Sequence, residues 1–158
     1  MRKLFLLLIM LQSYHATSQE IEGQYRDYFS RSIDLREDKT FLFEYRFDLS
    51  SGWAKGVWSF NESIVSLTPI LVMDTLLGLE DIDSLVLSFN KVSERVTREE
   101  YLITQLASGG QLHKLVPEQL AYKNKRLYLL DDKRRIEKKK IRGMQSTKKR
   151  GTWYFLTK

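Results

Sequence analysis

Covalent and acid–base catalysis draw on histidine, cysteine and activated hydroxyls, and this chain is poor in the first two: it holds two histidines and no cysteine. His15 lies in an N-terminal segment expected to be cleaved, which leaves His113, in Leu112-His113-Lys114, as the one imidazole of the mature protein. A hydrolytic triad needs a nucleophile, a base and an orienting group, and no Gly-x-Ser-x-Gly elbow is present to expose a serine. Zinc requires several His or Cys ligands, so a zinc centre is not expected. Glu80-Asp81-Ile82-Asp83 is acidic but lacks the alternating Asp or Asn, central Gly and distant Glu of a calcium loop, and reads as a solvated turn. Ser108-Gly109-Gly110 lacks the spacing and the Lys-Ser/Thr ending of a phosphate-binding loop. Among the carboxylates, Glu44 projects from the polar side of an aromatic strand and is the candidate member of a glycosidase-like pair. No metal or cofactor is expected, and a non-enzymatic role is the first reading, with a carboxylate hydrolase as the least favoured alternative.

Two constellations carry binding chemistry instead. The first is basic: Lys133, Arg134, Arg135, Lys138, Lys139, Lys140, Arg142, Lys148, Lys149 and Arg150 crowd the last quarter of the chain. The net charge of +6 conceals a division, since Gln19–Leu120 carries ten Lys and Arg against seventeen Asp and Glu, whereas Ala121–Lys158 carries fourteen against three. Such a block attracts phosphate, sulfate or carboxylate groups. Export makes a nucleic acid an unexpected natural partner, so an anionic glycan or glycolipid of the cell envelope is the partner expected here. The second constellation is aromatic. Phe41, Phe43, Tyr45 and Phe47 alternate along one segment, and with Trp58 and Trp153 they are candidates to line a cavity for a lipid-like apolar molecule. A structural or protein-interaction module without a small ligand is the remaining alternative.

The elements that must position these groups are extended. In Thr40–Asp48 the rings at 41, 43, 45 and 47 fall on one side and Thr40, Glu44, Arg46 and Asp48 on the other, which is the period of a half-buried strand. Ile33 and Leu35 precede it across Arg36-Glu37-Asp38-Lys39, predicting a hairpin. A second hairpin is expected from Trp53–Phe60 and Ser63–Thr68 across Asn61-Glu62, with Pro69 ending it. Short strands are further expected at Leu71–Leu77, Ser84–Asn90, Leu120–Tyr122, Leu127–Leu130, Ile136–Ile141 and Thr152–Thr157. One helix, near residues 98–108, is announced by the capping box Thr97-Arg98-Glu99-Glu100 and stopped by Gly109-Gly110. About eight short strands and one helix predict a mainly β chain built as a closed or half-open antiparallel barrel, with a two-sheet sandwich as the alternative.

The N-terminus sets the expected compartment. Met1-Arg2-Lys3 is followed by the apolar run Leu4–Leu11 and a polar stretch ending in small residues at Ala16 and Ser18, the layout of a secretory signal. Eight apolar residues are too few for the roughly 20 needed to span a bilayer as a helix. Residues 1–18 are therefore expected to be removed, leaving 19–158 as a single β-rich domain, periplasmic or extracellular, and no cysteine follows the run to carry a lipid.

Gly23-Gln24-Tyr25, Ile33-Asp34-Leu35, Lys39-Thr40-Phe41, Gly56-Val57-Trp58 and Ser63-Ile64-Val65-Ser66-Leu67 together resemble the opening of small exported bacterial lipocalin-like barrel proteins. The resemblance covers about the first third of the mature chain. It implies a barrel fold and an exported location, and it implies no particular ligand.

Overall fold

The computed structural model describes residues 21–48, 50–78, 83–107, 109–143 and 146–157. The expected leader and residues 80–82 of the acidic cluster lie outside them. In chain order the strands are β1 (Gly23–Arg26), β2 (Arg31–Leu35), β3 (Thr40–Phe47), β4 (Ser50–Asn61), β5 (Ile64–Ile70), β6 (Met73–Leu76), β7 (Ser84–Leu87) and β8 (Arg95–Val96). Helix α1 (Arg98–Ala107) follows, and then β9 (Gln119–Lys123), β10 (Arg126–Leu129), β11 (Lys140–Arg142), β12 (Lys149–Gly151) and β13 (Tyr154–Leu156).

Eight strands close into an antiparallel barrel in the order β1-β13-β10-β9-β5-β4-β3-β2, which excludes the sandwich. Alternation explains the closure. Tyr25, Ile33, Leu35, Phe41, Phe43, Trp58, Val65, Leu67, Leu120, Leu127 and Tyr154 point inward and form one core, each at most 4% exposed. Closing the sheet on itself removes the unpaired edges that an open sheet would present.

Local turn chemistry sets the register, with two departures from expectation. The β4–β5 turn lies at Glu62-Ser63, one residue beyond the expected Asn61-Glu62, and both residues take positive φ, as the twist of a tight hairpin demands. Pro69 does not end β5, because it pairs with Gly56 within the strand. The β5–β9 pairing has stopped at Ser66, so Pro69 sits on an edge where its missing N–H is tolerated. A third departure concerns the strand expected over Ile136–Ile141. Ile136 makes only an isolated bridge to Leu130, and regular pairing is confined to Lys140–Arg142.

Two smaller sheets flank the barrel: β7-β6-β8, and the β11–β12 hairpin. Helix α1 begins at the expected capping box, with Thr97 N–H donating to Glu100 Oε2 at 2.8 Å and Glu100 N–H donating to Thr97 Oγ1 at 3.2 Å. The β7-β6-β8 sheet is tied to the barrel through Gln111, which pairs with β4 at Trp53. Its side-chain amide donates to the carbonyls of Val72 and Ser88, both at 2.7 Å, and accepts from Val72 N–H at 3.0 Å. Among the described residues no helix is long and apolar enough to cross a membrane.

Candidate anion-binding surface

All ten cations of the C-terminal cluster are exposed. The β11–β12 register organises part of the cluster. Lys140 faces Gly151, Ile141 faces Arg150, and Arg142 faces Lys149. Directly opposed residues share a side of a sheet, so Lys140, Arg142 and Lys149 share one face while Ile141 and Arg150 share the other. The second face turns toward the barrel: the Arg150 guanidinium lies 4.8 Å from the centroid of Tyr28, which packs 5.1 Å from Phe155. Lys140, Arg142 and Lys149 are thereby left facing water.

The cluster divides by what its members already hold. Arg135 is bound to Asp131 Oδ2 through Nε and Nη2 at 3.0 and 2.9 Å. Asp131 Oδ1 also accepts the N–H groups of Lys133 and Arg135, and Arg134 takes positive φ within this turn. Those hydrogen bonds, led by the Arg135 N–H, hold the Asp131 carboxyl below its ordinary range. Arg135 is therefore a turn-forming residue more than a ligand-facing one. Among the described residues, Lys133, Arg134, Lys138, Lys139, Lys140, Arg142, Lys148 and Lys149 have no ion-pair partner.

The aromatic candidates separate in the same way. Phe41, Phe43 and Trp58 belong to the buried cluster inside the barrel, with Tyr45 packed against it and Phe47 half-buried at the end of β3. Trp58 Nε1–H donates to Arg36 O at 3.0 Å, and Lys39 Nζ stands 4.2 Å from its ring centroid. Trp153, the sixth cavity candidate, instead lies outside the barrel, its ring centroid 6.0 Å from that of Tyr128 and 5.9 Å from the Arg126 guanidinium. The reason is parity: Leu127 points into the core, so its neighbours Arg126 and Tyr128 point out, and Trp153 covers them.

His113 falls in a short 3₁₀ turn, His113–Leu115. Gly109-Gly110 does more than follow the helix: a Cβ on Gly109 would lie 1.5 Å from Ser51 O, and Gly110 has a φ of +66°. The two glycines let the chain lie directly against β4, and the residues on either side of that contact build a feature with no local sequence signal. It is a polar recess of about 760 Å³ at the barrel rim, lined by Arg26, Asp27, Ser30, Arg31, Ser32, Glu44, Tyr45, Arg46, Ser51, Gly52, Trp53, Lys91 and Gly109. Two carboxylates, Asp27 and Glu44, line it, but each is committed. Asp27 accepts from Phe29 N–H and Arg31 N–H through Oδ1 and from Arg31 Nε through Oδ2, and Glu44 is paired with Lys91 Nζ. Comparison of the chain with protein-family models, with curated proteins and with solved structures finds no match in any of the three.

Proposed function

We propose that this chain is a non-enzymatic binding protein whose basic hairpin face holds an anionic glycan or glycolipid of the cell envelope. The observation that carries the reading is the pairing of Arg142 with Lys149 beside Lys140 on one exposed face. Like charges directly opposed across a sheet are destabilising, and an anionic ligand bridging them relieves that repulsion. The signal-like run Leu4–Leu11 supports an envelope location. Phe41, Phe43 and Trp58 belong to a cluster of buried side chains inside the barrel, which gives the surface reading more support than a lipid-like ligand inside.

The test is binding to immobilised heparin, as a polyanionic glycan, with dextran as the neutral control, across a salt series. Contacts with charged groups weaken as ionic strength rises, and neutralising Lys140, Arg142 and Lys149 together should flatten the dependence by roughly one unit of slope per cation removed. Salt-independent affinity, or equal retention on dextran, overturns the proposal.

A further inference from the structure

The polar recess shares no lining residue with the hairpin and is independent of the reading above. We propose that it binds a small anionic sugar: one hydroxylated ring carrying a single carboxylate or phosphate group.

Its charge is the first argument. Four cations line it, and the two lining carboxylates neutralise two of them through the Asp27–Arg31 and Glu44–Lys91 pairs. Arg26 and Arg46 remain exposed, without an ion-pair partner among the described residues. Guanidinium groups suit the paired oxygens of a carboxylate or phosphate, which they bind with two parallel hydrogen bonds.

The hydroxyls are the second argument. Ser30, Ser32 and Ser51 line the recess, and none of their side-chain oxygens has a hydrogen-bond partner among the described residues. A ligand rich in hydroxyls satisfies both sides of that arrangement, whereas an alkyl chain satisfies neither.

The walls are held in place independently of any ligand. Trp53 Nε1–H donates to Phe89 O at 3.1 Å, Lys55 Nζ donates to Lys91 O at 2.7 Å, and Asp27 fixes the β1–β2 turn. A volume near 760 Å³ is also within the usual range for small-ligand sites.

The test is titration of the full chain with glucuronate, glucose 6-phosphate, glucose and inorganic phosphate, followed by backbone amide NMR. Binding of either charged sugar, with shifts at Arg26, Ser32, Arg46 and Ser51, is the expected result; which of the two binds more tightly identifies the acid group. The variant R26Q/R46Q should lose on the order of tenfold in affinity. The hairpin variant K140Q/R142Q/K149Q should bind both sugars as the parent does, so failure of this site and failure of the hairpin reading are separable. Equal binding of glucose, equal binding of inorganic phosphate, unchanged affinity in R26Q/R46Q, or shifts confined to β11–β12 would each overturn the proposal. The mapping on the unaltered chain decides the matter even if a variant fails to fold.

Discussion

Arg142 and Lys149 stand directly opposite one another across the β11–β12 hairpin, on the face that turns away from the barrel. Favourable cross-strand pairs contribute roughly 0.2–1 kcal/mol, and like charges directly opposed are destabilising instead. The single substitution R142Q should therefore leave the protein as stable as the parent or slightly more stable, while lowering its retention on a polyanion. Thermal melts beside a salt-gradient elution read both effects, and a destabilised R142Q would show that the arginine holds a structural contact.

Two buried tyrosines should respond oppositely to loss of the hydroxyl. Tyr25 Oη donates to Ile21 O at 2.7 Å, whereas Tyr154 Oη is fully buried with no hydrogen-bond partner among the described residues. Burial raises the pKa of both phenols. Y25F should cost about 1 kcal/mol, and Y154F should be neutral or stabilising, because it removes a desolvated polar atom that gains nothing in return. Chemical denaturation of the two variants checks the contrast.

Gln111 presents the β6–β7 region with an imitation of a peptide group: one donor group for two carbonyls and one acceptor for an N–H. Q111E keeps the acceptor and loses the donor, leaving the carbonyls of Val72 and Ser88 facing a carboxylate. A cost of about 2–4 kcal/mol is expected, with faster amide exchange at Val72 and Ser88. Exchange rates unchanged at those positions would contradict this linkage.

The start of α1 should be sensitive to acid. Hydrogen bonds from Thr97, its N–H first and then its hydroxyl, hold the Glu100 carboxyl below its ordinary value of 4.5. A carboxyl with a depressed pKa in the folded state adds stability above its unfolded pKa and loses it as pH falls through the folded value. Amides in the first turn of α1 should therefore exchange faster near pH 3 than a simple intrinsic-rate correction allows. T97A should weaken the same turn by about 1 kcal/mol already at neutral pH.

Glycine substitutions should rank by the room behind them. A Cβ on Gly56 would lie 2.0 Å from Thr68 O and 2.8 Å from Pro69 Cα, whereas one on Gly143 would meet nothing closer than 3.9 Å. G56A forces β4 and β5 apart and should cost about 1–3 kcal/mol, while G143A should change the melting temperature little.

The sequence by itself determined the pieces that depend on neighbours in the chain. Rings at 41, 43, 45 and 47 announced β3, the hairpins at residues 36–39 and 123–125 followed from polar turns, and Thr97 with Glu100 placed the start of α1. Alternation works because successive side chains of a strand point to opposite faces whatever the fold. Turn positions were legible only to within a residue, since Glu62 and Ser63 took the positive φ expected of Asn61. Tertiary structure alone decided which cations are committed. Arg31 and Arg135 read in sequence like any other basic residues, and both prove to be locked to an Asp four positions earlier in turns that also hold a positive-φ residue. It alone placed Trp153 outside the wall, because that depends on the parity of β10. The recess was invisible for the same reason: Glu44 and Lys91 lie 47 residues apart, and only barrel closure with the β6–β8 sheet folded against β4 brings them to one rim.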